Sequence, residues 1–76
     1  MTHVEFMREF GNNLAYQLTE YGISQRELSD ELGISKSTIN AYIKGVRMPS
    51  AKTINNLAVA LRCDINDLVG FYEIVC

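Results

Sequence analysis

Lys36, Lys44, Arg47, Lys52 and Arg62 follow one another with no acid between Glu31 and Asp64, so that stretch carries +5. The remainder sets Arg8 and Arg26 against nine acids and carries −7, which leaves the whole chain at −2. An acidic protein with its positive charge gathered in one segment can still present a face that attracts phosphate. Without further pattern the segment would be a solvated basic surface. The pattern lies between Lys36 and Lys44. At about 100° per residue, Ile39, Tyr42 and Ile43 share an arc of roughly 100°, and Lys36, Ser37, Asn40, Ala41 and Lys44 share another of roughly 140°. The second arc is short, polar and charged only at its ends, which suits a groove of donors and acceptors better than open water. Lys36 can pair with guanine O6 and N7, Asn40 with adenine N6 and N7, and Ala41 can meet a thymine methyl. Groove contact and plain solvation fit Ser37 equally well. Ser35, just before the arc, fits either a helix N-cap or a phosphate contact.

Other chemistry has little to work with. His3 is the only histidine, so neither a metal site nor acid–base catalysis has a second imidazole to build on. Cys63 and Cys76 are too few for a disulfide framework, and no CxxC is present to hold zinc. Cys63 falls in an apolar-periodic stretch and reads as a small buried hydrophobe, so a reducing, cytoplasmic setting fits best. Asp64 and Asp67 are better placed as helix caps than as a catalytic carboxylate pair. Gly22, Gly33, Gly45 and Gly70 punctuate helices and form no phosphate-cradling loop. No enzyme, cofactor, metal or small-molecule ligand is expected.

Size and composition agree. A chain of 76 residues makes one small domain, since chains near 60 residues bury only about 60% of their unfolded surface. Apolar residues at 47% and charged residues at 21% place it among globular rather than disordered chains. No apolar run is long enough to span a bilayer.

The outward arc needs elements to hold it, and the spacing predicts five helices and no strands. Phe6, Phe10, Leu14 and Leu18 repeat every four residues, which makes one stripe on a helix of about four turns stopped by Gly22; His3 is expected in a frayed terminus. Ser24 with Glu27 forms a capping box that opens a short helix over 25–32, with Leu28 and Leu32 on one face and Gly33 at its end. Ser35 caps a third helix from Lys36 to about Lys44, closed by Gly45. Pro49 breaks the chain and Ser50 caps a fourth helix, where Ile54, Leu57, Ala58 and Leu61 form a core-facing stripe. Asp64 and Asp67 open a fifth helix carrying Ile65, Leu68 and Val69. Two short helices joined by Gly33, Ile34 and Ser35 can cross steeply, as in a helix-turn-helix unit over 25–44. Ser29 is small where those helices should approach most closely.

The segment SQRELSDELGISKSTINAYIKGVRMPS, followed by TINNLAVALRCDINDLV, resembles the phage repressor/Cro-type, XRE-like helix-turn-helix domain, from about Phe10 to Val69. The resemblance implies an all-α, five-helix, lambda-repressor-like DNA-binding domain. It implies that Gln25 anchors a backbone phosphate and that Lys36, Ser37 and Ala41 read base edges. It also implies that Lys44, Arg47 and Lys52, around the third helix's end and the following link, grip phosphates. One departure stands out. Many relatives pair an arginine near the end of the first helix with a glutamate late in the recognition helix, and those positions here are Leu18 and Ile43. An apolar contact is expected to replace the buried ion pair, a swap that is often neutral or stabilising. Ala41 also stands where relatives often place a longer polar residue, so sequence preference is expected to be modest.

Two functional readings follow. The leading one is a sequence-specific transcriptional regulator that binds double-stranded DNA as a homodimer. The other is a protein-interaction module of the same fold, antitoxin-like or a repressor antagonist, with weak or no DNA binding. Phe71, Tyr72, Ile74 and Val75 make the last six residues strongly apolar. They fit a dimer interface or a cap on the monomer's own core, and a dimer would set two recognition helices about 34 Å apart. The chain closes soon after the fifth helix, so no inducer-binding domain is expected and control would come from protein level, a partner or covalent change.

Overall fold

The computed structural model describes residues 2–70, and within them it contains five helices and no strand. They are α1 (His3–Tyr21), α2 (Gln25–Leu32), α3 (Lys36–Lys44), α4 (Ala51–Ala60) and α5 (Ile65–Val69). The tail residues Phe71, Tyr72, Ile74 and Val75, expected at an interface or over the core, lie outside the described residues.

Each helix starts where a short polar side chain can satisfy an orphan amide. Ser24 Oγ accepts from the Glu27 N–H at 3.0 Å while Glu27 accepts from the Ser24 N–H at 2.9 Å, the reciprocal box expected there. Ser35 and Ser50 accept from the N–H groups of Thr38 and Thr53 at 3.1 and 3.2 Å. The start of α1 corrects the expectation of a frayed end at His3. Thr2 Oγ1 accepts from Glu5 N–H at 3.1 Å, and Glu5 accepts from Thr2 N–H at 2.8 Å. These bonds hold the Glu5 carboxyl below its usual pKa and fix His3 as the first helical residue. The first helix therefore has 19 residues, over a turn more than the apolar stripe alone required.

The stripes meet in one core. Phe10, Leu14, Leu28, Ile39, Leu57 and Leu68 are fully buried, so all five helices contribute at least one side chain. Burying each removes apolar surface from water at a gain of about 1.5–3 kcal/mol. Phe10 and Tyr42 lock α1 to α3 with ring centroids 6.5 Å apart at 77°, an edge-to-face pair. Leu18 is buried and Ile43 is half-buried against the same cluster, so both side chains expected to meet in an apolar contact lie on one core. In α5, Leu68 is buried and Val69 half-buried, but Ile65 is exposed.

The packing fixes α3 from two sides: α1 packs chiefly on α3 and α5, while α2 packs on α3 and α4. Between α2 and α3, Gly33 takes φ 68° and closes α2 by donating to the Ser29 carbonyl. That left-handed turn costs most residues about 1–2 kcal/mol and costs glycine little. Ser29 itself is buried, its hydroxyl donating to the Arg26 carbonyl at 2.9 Å, so no longer side chain keeps α2 off its neighbours.

Candidate nucleic-acid interface

The buried residues of α3 are Ile39 and Tyr42, and their burial turns the rest of the helix outward. Lys36, Ser37 and Lys44 are exposed, while Asn40 and Ala41 are half-buried. The head of α3 adjoins the head of α2, and Gln25, Lys36, Ser37 and Asn40 line one shallow recess there. Three residues expected to touch base edges and the glutamine expected on a phosphate are thereby brought together. Ala41 lies one residue beyond, outside that lining.

The remaining cations are spread along the chain from that recess. Lys44 is the last residue of α3, about 12 Å along the axis from Lys36. Arg47 sits in the link and Lys52 in the first turn of α4, and both are exposed. Ser35 is accounted for as a cap. Its oxygen takes the Thr38 N–H and lies 2.7 Å from Thr38 Oγ1 and 3.1 Å from Ser37 Oγ. One hydroxyl proton is left to share among those neighbours or with an anion.

The helix starts differ in charge. The first turns of α1, α2 and α5 carry Glu5, Glu27 and Asp67, as the helix dipole favours. Those of α3 and α4 carry no acid; they carry Lys36 and Lys52, with Thr38 and Thr53 where a capping box would place glutamate. A cation at a helix N-terminus works against the macrodipole by about 0.3–1 kcal/mol. An anion brought to the same place would meet both the lysine and the free amides.

Several residues reach this geometry by routes the sequence did not signal. Gly11 lies within α1, and a Cβ there would stand 2.4 Å from the Ile43 carbonyl oxygen and 2.6 Å from that of Tyr42. Its missing side chain lets α1 rest directly on the last turn of α3. Asn13 Nδ2 donates to the Leu68 carbonyl at 2.8 Å, tying α1 to the end of α5. Cys63 is half-buried, and burial, then Asp67 and Asp64, push its thiol pKa up, which disfavours the thiolate that metal binding or nucleophilic attack would need. Among the described residues no group of histidine, cysteine and acidic side chains could hold a metal ion. No described helix is long and apolar enough to cross a membrane.

A helix held across two others, with its polar arc outward and a glycine turn before it, defines a helix-turn-helix unit. The chain belongs to the helix-turn-helix family, whose pattern it matches over residues 14–68. It is similar to the restriction-modification controller protein C.AhdI from Aeromonas hydrophila, at 31% identity and a TM-score of 0.76, over 82% of this chain and 94% of that one. No curated protein matches it. Family and likeness together make it a DNA-binding transcription regulator.

Proposed function

We propose that the protein reads duplex DNA by laying α3 in the major groove, and that it does so as a homodimer. The observation that carries this reading is the recess where Gln25, Lys36, Ser37 and Asn40 meet, at a helix start bearing a cation and no acid. Lys36 then pairs with guanine, Asn40 with adenine, and the Ala41 methyl packs on thymine, while Ser37 completes the contact with its hydroxyl. Gln25 anchors a phosphate on one side of the groove, and Ser35 donates to a phosphate when its hydroxyl proton turns from Thr38 and Ser37. Lys44, Arg47 and Lys52 hold the backbone at the far end. The homodimer rests on the apolar residues Phe71, Tyr72, Ile74 and Val75, and would give a site with two-fold symmetry.

One observation favours the interaction-module reading. Val59 and Ile65 are 70% and 44% exposed and flank a shallow recess between α4 and α5 that Asn55, Asp64 and Asn66 also line, two apolar side chains that no proposed DNA contact uses.

Selection of bound duplexes from a random pool tests the proposal. Recovery of a two-fold site supports DNA reading and dimerisation together. Lys36→Ala should then relax the preference at one base position per half-site, with a discrimination loss of about 1–3 kcal/mol there. A pool that yields no enriched sequence, or a Lys36→Ala profile identical to the parent's, would contradict it.

A further inference from the structure

The geometry points to Arg8, on the part of α1 that precedes the family match, as a further phosphate-binding cation of the DNA interface; this rests on the duplex-DNA reading above. Arg8 and Gly11 are three residues apart and share an edge of α1. At Gly11 that edge touches the carbonyls of Tyr42 and Ile43. At Arg8 it touches Gly45, whose missing Cβ would stand 3.0 Å from Arg8 Cα and 3.2 Å from Arg8 Cγ. Gly45 is buried while Arg8 is exposed. The stem of Arg8 therefore lies on Gly45 and its guanidinium extends into solvent, as long basic side chains do. Gly45 directly follows Lys44 and stands two residues before Arg47. A further cation thus joins Lys44 and Arg47, two of the three proposed to hold backbone phosphates at this end of α3.

Two other roles for Arg8 are less well served by the geometry. As a cap for α3 it has little to do, because the Ala41 and Tyr42 carbonyls already accept from the N–H groups of Val46 and Gly45, each at 3.1 Å. As a partner for Glu5, one turn earlier, it meets a carboxylate already bound to the Thr2 N–H at 2.8 Å. The Arg8 charge is the smallest of the influences on that carboxyl. A planar guanidinium with five donors remains, suited to a phosphate. Because it sits at the Gly45 end of α3, away from the recess, it should strengthen binding to all sequences alike.

The test is a salt titration of the full chain on a duplex of unrelated sequence, with Arg8→Gln, Arg8→Lys and Arg47→Ala beside the parent. Arg8→Gln keeps a stem against Gly45 and removes the charge. It should lower affinity about 5–10-fold near 0.1 M salt and reduce the log–log slope by about one, with the melting temperature unchanged. Arg8→Lys should restore most of the slope. If Arg8→Gln keeps the parent slope while Arg47→Ala loses about one, Arg8 takes no phosphate and the inference fails while the DNA reading stands. A lowered melting temperature with an unchanged slope would assign Arg8 to the fold instead. Parent binding that does not respond to salt would overturn the DNA reading, and the Arg8 role with it.

Discussion

A single missing methyl group governs how α3 is held. On a solvent-facing helix position, glycine to alanine gains roughly 0.5–1 kcal/mol. At Gly11 the added Cβ would fall 2.4 Å from a backbone oxygen, and backbone cannot rotate out of the way as a side chain can. Gly11→Ala should therefore reverse the usual sign and cost about 1–3 kcal/mol in a denaturant or thermal melt. It should also weaken DNA binding, because the displaced segment leads straight into Lys44 and Gly45. A stabilised Gly11→Ala protein would mean that α1 does not rest on α3 as described. Nothing local marks this glycine. Gly22, Gly33 and Gly45 were legible as helix ends because apolar periodicity stops beside them, whereas Gly11 interrupts no pattern and owes its place to a chain segment 31 residues away. The Asn13 bond to the Leu68 carbonyl, 55 residues apart in sequence, was hidden for the same reason. The Thr2–Glu5 box was different: T-x-x-E is a local signal, and only its position at the chain start disguised it.

At the scale of elements, the helix starts divide according to what they face. α1, α2 and α5 carry an acid in the first turn, and α3 and α4 carry lysine and threonine. If α3 and α4 point at phosphates, the missing glutamates give up a little helix stability to keep an anion site open. Thr38→Glu separates those terms. It completes a box with Ser35 and should leave stability unchanged or raise it by up to about 1 kcal/mol. A carboxylate set among DNA phosphates should lower affinity by about tenfold or more for every sequence. A variant that gains stability and binds DNA as the parent does would remove α3 from the interface. The helices were legible in the sequence because caps, glycines and the stripes of Leu28, Ile39 and Leu57 agree at each boundary. The end of α4 was not, for no glycine stands there. Arg62 takes the left-handed turn instead, at φ 55°, and the Cys63 N–H reaches back to the Ala58 carbonyl at 3.0 Å.

For the whole molecule, net charge misleads and distribution informs. A protein at −2 should repel DNA on average, so whatever binding it achieves must come from one oriented face. The sequence made that face legible as a list of residues, and the fold adds which of them meet: Gln25 of α2 joins Lys36, Ser37 and Asn40 of α3 because Gly33 turns the chain between them. It could not show that α1 carries Arg8 onto Gly45, since that contact depends on how α1 crosses α3. The most direct measurement is a map of backbone amide shifts by NMR as duplex DNA is added to the full chain. The largest changes should fall at Gln25, Lys36, Ser37, Asn40 and Ala41, with smaller ones at Lys44 and Arg47, and little at Val59 or Ile65. Changes centred on Val59 and Ile65, with the head of α3 silent, would contradict the account.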